Sequence, residues 1–239
     1  MAAQPEGPVG PKPRRWRPTV FAADLTTRRG RAKAWAHSVV VDHAFFRVLW
    51  HNFSAVEPGI LYRSNHPMPG QLAALARRHG IRTIINLRGA RACGSDALSR
   101  DAAARMGLTQ IDMALDSRAA PQVERILRLA EIFRTMRTPA LMHCKSGADR
   151  AGLAAGLYVL FQGGTAAAAL QELSWRHLHF GASATGILDA FFRCYAATGE
   201  GKKPFLDWVR EDYDAPALMR DFRAHGLASF INDRLLRRE

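Results

Sequence analysis

Short apolar runs alternate with longer stretches of helical spacing between Ile60 and Gly163, and this restricts the chain more than any other feature. Ile60-Leu61-Tyr62 follows the turn Glu57-Pro58-Gly59 and reads as a short strand. Pro69 opens a helix through Leu72, Leu75 and Ala76, which Gly80 closes. Ile81–Leu87 is a strand of the buried type, 95–106 a helix stopped at Gly107, and Leu108–Leu115 another strand. Pro121 starts a helix with apolar residues at Val123, Ile126, Leu127, Ala130 and Phe133, and Pro139–His143 is a strand. Helices are expected at about 150–162, 165–179, 184–198, 204–213 and 215–225. Strands separated by helices cannot pair as hairpins. The expected fold is therefore α/β, a central, largely parallel sheet flanked by helices, with a helical C-terminal half.

Composition narrows the class further. A chain of 239 residues, 48% hydrophobic and 23% charged, has enough apolar material for one sizeable core, which excludes a wholly disordered chain. No apolar run reaches the length of a membrane span; the longest, Val39–Trp50, is broken by Asp42, His43 and Arg47. Three cysteines, Cys93, Cys144 and Cys194, are too few for a disulfide framework and suit a reducing, cytoplasmic setting. The start of the chain lacks the apolar core of a secretory signal. Five prolines in the first 18 residues argue against an amphipathic transit helix.

Net charge is +13, and residues 1–35 hold eight basic and two acidic residues, so +6 of it falls there. Such a surface favours anionic partners. Residues 1–27 read as a disordered basic arm, and 28–239 as one domain that begins with a helix at about 28–52. That helix is basic first and apolar afterwards, which suits packing on the domain or contact with an anionic membrane surface. No basic stripe is interleaved with aromatic residues, so nucleic acid is not an expected partner.

The chemistry lies in Ala140-Leu-Met-His-Cys-Lys-Ser-Gly-Ala-Asp-Arg-Ala-Gly152. An apolar strand runs into Cys144, a five-residue loop follows, and Arg150 opens an apolar helix. Loop amides and the free N–H groups of the first helical turn can converge on one anion. Gly147 permits a tight backbone curl, and Arg150 has the fork that grips two phosphate oxygens. Cys144 would lie at the base of this positive bowl, where dipoles favour the nucleophilic thiolate, with His143 beside it to orient the loop.

This string resembles the signature loop of the cysteine-dependent protein tyrosine and dual-specificity phosphatases, His-Cys-x5-Arg. Leu61-Tyr62-Arg63-Ser64 and Ile84-Ile85-Asn86-Leu87-Arg88 resemble the front half of the bacterial atypical dual-specificity branch, so the resemblance runs over roughly 54–162. It implies a hydrolase that cleaves phosphate monoesters through a cysteinyl-phosphate, with no metal or cofactor. The phosphate-binding loop would be His143, Lys145, Ser146, Gly147, Ala148 and Asp149, with Cys144 as nucleophile and Arg150 as oxyanion clamp. The family takes its general acid from an aspartate upstream. Asp116, at the end of a strand, is the expected acid, and Asp112, mid-strand, is the other candidate. Implied substrates are phosphotyrosine and phosphoserine/threonine in protein, with phosphorylated lipids or inositol phosphates as the alternative.

Several positions depart from the pattern. Ala151 stands where many members carry a hydroxyl that assists the second step, which keeps a phospho-ligand-binding pseudophosphatase in view. Asp149 puts a negative charge beside Arg150, or turns outward as a brace. Lys145 matches a phosphoinositide-cleaving branch, whereas Ala148 replaces that branch's second lysine. In some relatives a cysteine placed like Cys93 pairs reversibly with the nucleophile. Arg88 is expected to tie the sheet edge by an ion pair, and Cys194 to pack within a helix. His177 and His179, two apart on an expected helix, should not face one site.

Overall fold

The computed structural model describes residues 23–40 and 51–224. Most of the basic arm and Val41–Trp50 lie outside the described residues. The five strands are β1 (Ser54–Glu57), β2 (Leu61–Ser64), β3 (Thr83–Asn86), β4 (Thr109–Asp112) and β5 (Ala140–His143). Their order is β1-β2-β5-β3-β4. β1 pairs antiparallel with β2, and every other pair is parallel. β5 thus lies between β2 and β3, which puts the start of the Cys144 loop at the middle of the sheet's C-terminal edge, where ligands of parallel sheets bind.

The helices are α1 (Arg28–Val40), α2 (Pro69–His79), α3 (Gly94–Arg105), α4 (Val123–Thr135), α5 (Asp149–Phe161), α6 (Ala166–Gln171), α7 (Ile187–Thr198) and α8 (Phe205–Glu211), followed by helical residues 215–224. Strand alternation divides the core. Tyr62, Ile84 and Leu141 pack with Leu72, Ile81 and Ala103 from the α2–α3 side. Leu61, Ile85 and Met142 pack with Leu153, Leu157, Phe191 and Trp208 from the α5–α8 side. α5 is buried along nearly its whole length, as its unbroken apolar sequence requires.

Gly80 ends α2 in the left-handed conformation at φ 64°, as its place in the sequence suggested. α1 is capped by the Thr27 hydroxyl, which accepts from the Gly30 amide at 3.0 Å. It packs on α3 through the Ser38–Ser95 hydroxyl pair (2.7 Å) and the Arg31–Asp101 ion pair (3.4 Å). Two expectations about elements need correction. The antiparallel strand β1 was not anticipated, since four half-exposed residues carry little pattern. The helix expected over 165–179 stops after Gln171. Beyond it the chain turns through a short 3₁₀ segment, Trp175–His177, and Leu178 takes the left-handed conformation at φ 62°.

Candidate active site

Cys144 follows β5 directly and is 1% exposed. The Gly147 N–H donates to its Sγ at 3.2 Å, a bond that a thiolate accepts more strongly than a thiol. What aims the loop is the way its carbonyls are held. Lys145 O accepts from the His66 amide at 3.3 Å. Ser146 O accepts from Asn52 Nδ2 at 2.9 Å. Gly147 O and Ala148 O accept from Arg63 Nη2 at 2.8 and 3.1 Å. In a planar trans peptide each carbonyl points opposite to the next residue's N–H. Four carbonyls held from outside therefore turn the amides of residues 146–149 the other way, toward the hollow of the loop. The N-terminus of α5 adds its own free amides.

Each donor has a structural reason to be there. Arg63 lies next to the end of β2 with its side chain on the α5 side of the sheet, fully buried. Its other nitrogen, Nη1, donates to Glu172 O at 2.8 Å and Glu172 Oε2 at 2.7 Å. Burial lowers the pKa of this guanidinium, and the Glu172 charge opposes that shift. Asn52 takes φ 44°, a region asparagine tolerates, and its Nδ2 also donates to His177 O at 2.9 Å. His66 is buried with its ring edge-on to His143, centroids 4.6 Å apart. Arg88 Nη1 lies 3.3 Å from His66 Nδ1, which leaves the His66 Nε2–H to donate to Ser95 O at 3.2 Å. Arg88 thus reaches a histidine at the sheet edge.

The remaining site residues divide by exposure. Lys145 and Ser146 are exposed at the rim, whereas His143, Gly147 and Ala148 are buried. Arg150 is half-buried, and its buried Nε finds no hydrogen-bond partner among the described residues. Asp149 is a brace: its Oδ1 accepts from His179 Nδ1 at 2.9 Å, and His179 Nε2 donates to Asp189 Oδ2 at 2.7 Å. Burial disfavours charge on His179, but the bonds to Asp149 and Asp189 and their charges outweigh it and lift the imidazole to about 9. His177 goes the other way: burial, then the charges of Arg63 and Arg176, push it down to about 4. These two histidines were expected on one helix, not facing one site. The turn that replaces the helix instead ties His177 to Asn52 and His179 to Asp149.

The two candidate acids differ sharply. Both oxygens of Asp112 accept from Arg100 Nη2, at 2.7 and 2.8 Å, and Oδ1 also accepts from Asn86 at 3.1 Å. That carboxylate is committed to the β3–α3–β4 junction. Asp116 is exposed, just past Leu115, whose amide still pairs with Leu87 O at 3.1 Å. Cys93 precedes α3, half-buried, and all three cysteines are free thiols. Cys194 packs against the core from α7. A cleft between α4, α5 and α8, lined by Leu127, Phe133, Phe161 and Leu206, contains no residue of the phosphate loop.

A family model described as PTP-SAK, the DSP-PTPase phosphatase domain of Swiss Army Knife proteins, matches residues 50–189. The chain belongs to this family. Family membership makes it a phosphatase of the protein tyrosine/dual-specificity superfamily, the group whose signature the Cys144 loop resembles. TpbA of P. aeruginosa, a solved structure, is similar at 22% identity and a TM-score of 0.51, over 67% of this chain and 89% of that one. The core catalytic domain of the PP-IP phosphatase SIW14 from S. cerevisiae is 18% identical, with a TM-score of 0.46, over 74% of this chain and 93% of that one. PTPMT1, solved in complex with PI(5)P, is 14% identical, with a TM-score of 0.44, over 61% of this chain and 96% of that one. A search of the curated proteins found no match. The matched span takes in Asn52, Arg63, His66 and His179, the loop supports that sequence reasoning did not assign.

Proposed function

We propose that this PTP-SAK phosphatase hydrolyses phosphate monoesters through a thiol mechanism centred on Cys144. The observation that carries the reading is the Gly147 amide on Cys144 Sγ, inside a loop whose other carbonyls are held from outside. In the first step the Cys144 thiolate attacks phosphorus, the P–S bond forms and the P–O bond to the leaving group breaks. Asp116 gives the leaving oxygen its proton. In the second step Asp116 takes a proton from water, the water oxygen attacks phosphorus, and the P–S bond breaks to restore the thiolate. The loop amides and Arg150 bind the three equatorial oxygens in both steps. His143, Lys145, Ser146, Gly147, Ala148 and Asp149 complete the loop, with Asp149 acting through His179 as a brace. Phosphotyrosine and phosphoserine/threonine in protein are the first substrate class. A phosphorylated lipid or inositol phosphate is the second, favoured by the exposed Lys145 at the rim. A free thiol nucleophile suits a reducing compartment.

The test is phosphate release from p-nitrophenyl phosphate, phosphotyrosine peptides and phosphorylated lipids across pH, with EDTA present. Wild type should turn over and Cys144→Ser should not. Asp116→Ala should lose the basic limb of the pH–rate profile. An unchanged profile would move the acid elsewhere. Stoichiometric phosphoenzyme without multiple turnover would favour a phospho-ligand-binding module, for which the missing hydroxyl at Ala151 is the feature to examine. Equal activity in Cys144→Ser would overturn the reading.

A further inference from the structure

Among the described residues, six large hydrophobic side chains are exposed: Trp35 (38%), Val39 (41%), Val40 (70%), Trp175 (74%), Leu178 (45%) and Phe180 (63%). They fall on only two segments, the second half of α1 and the turn after α6. Both segments are tied to the phosphate loop. On one side, Trp35 and Ser38 line a small hollow with His66 and Ser95, and the His66 amide donates to Lys145 O at 3.3 Å. On the other, Asn52 Nδ2 bridges His177 O and Ser146 O at 2.9 Å each, and His179 holds Asp149. Exposed apolar side chains thus flank the exposed Lys145 and Ser146, and no such side chain lies elsewhere among the described residues.

The same segments are basic. Exposed Arg28, Arg29 and Lys33 lie on α1, and exposed Arg176 sits between Trp175 and His177. Residues 1–35 alone carry +6 of the chain's +13. Protruding tryptophan, phenylalanine and aliphatic side chains interleaved with basic ones match an anionic lipid interface. Aromatic rings settle at headgroup depth there, and arginine and lysine meet the phosphates. No helix among the described residues is long and apolar enough to cross a membrane, and α1 has 13 residues, so the contact would be peripheral.

From this we infer that the catalytic face docks on an anionic membrane surface, with Trp35, Val39, Trp175, Leu178 and Phe180 entering the interface and the phosphate loop facing the lipid. This goes beyond the catalytic reading and does not depend on it. The test is flotation of the full chain with phosphatidylcholine vesicles, with and without phosphatidylglycerol. Wild type and Cys144→Ser should both float with the anionic vesicles, less so as salt rises, and neither should float with the neutral ones. Trp175→Ala/Phe180→Ala should bind at least roughly tenfold more weakly, since burial of two large side chains is lost. It should still hydrolyse p-nitrophenyl phosphate in solution as wild type does. No flotation with anionic vesicles would overturn the inference and leave the apolar side chains to a protein partner. Binding equal to wild type in the double variant and in Trp35→Ala would also overturn it, since charge alone would then hold the chain. Loss of turnover in Cys144→Ser tests the thiol reading and leaves flotation unaffected, so the two can fail separately.

Discussion

At Gly147, backbone conformation and close approach make the same demand. Its φ is 79°, and a Cβ there would lie 2.7 Å from Asn65 N and 2.8 Å from Ser64 C, both main-chain atoms that cannot turn aside. Gly147→Ala must therefore push the loop off β2 or twist it, and in either case the amide on Cys144 Sγ moves. Since misplacement of about 1 Å costs ~10²-fold in rate, kcat on p-nitrophenyl phosphate should fall by about that factor. A kcat within threefold or so of wild type would contradict the role assigned to this glycine. The contiguous string Cys144–Arg150 was legible in the sequence because strand, glycine and arginine stand at fixed short spacing. Asn52, Arg63, His66 and His179 were not, because they reach the loop from the segment before β1, from β2 and the turn just after it, and from the turn after α6. A side chain that holds a distant carbonyl leaves no periodic trace. Arg63 belonged to a stretch that resembled the family, yet nothing in its neighbours indicated a buried fork.

The elements are joined by buried charges, and two predictions follow from them. Arg63 links β2, the phosphate loop and the residue after α6, with no exposure of its side chain. Arg63→Met would strand the carbonyls of Gly147 and Ala148 and release Glu172, at a cost of about 3 kcal/mol in urea unfolding. A loss under about 1 kcal/mol would show that the fork is dispensable. The triad Asp149–His179–Asp189 links α5 to α7. His179 is raised from its ordinary 6.5 to about 9 in the folded protein, so it binds a proton there that the unfolded chain releases earlier. Its contribution, roughly 3 kcal/mol, is complete below pH 6.5 and lost as pH climbs through about 9. His177, lowered to about 4, works in the opposite sense: stability falls as pH drops below 6.5, since only the unfolded chain takes up that proton. Stability should therefore peak near pH 6.5, and His179→Gln should flatten the alkaline limb. A wild type equally stable at pH 6.5 and 9.5 would contradict the triad's charge state. At this scale the sequence located the parallel strands and most helices well, because each carries its own apolar period. It overran α6, where helical spacing continues past Gln171 in the sequence while hydrogen bonds to Asn52 and Asp149 hold the chain in a turn.

For the molecule as a whole, the sheet order matters most. β5 in the centre of the sheet brings β2, α3 and the turn after α6 to one edge around Cys144. Alternation predicted the parallel sheet, but the order β1-β2-β5-β3-β4 depends on which crossover lies beside which, and that follows from packing on α5 rather than from any single segment. Every exposed large hydrophobic side chain among the described residues lies on α1 or the turn after α6, the two segments that a shared hollow and hydrogen bonds connect to the phosphate loop. The most direct test of the thiol mechanism is acid-quenched mass spectrometry during turnover of p-nitrophenyl phosphate. Wild type should carry a single phosphoryl group, on the peptide that contains Cys144, and Cys144→Ser should carry none and release no phosphate. Steady turnover with Cys144 never modified, or undiminished in Cys144→Ser, would contradict the mechanism.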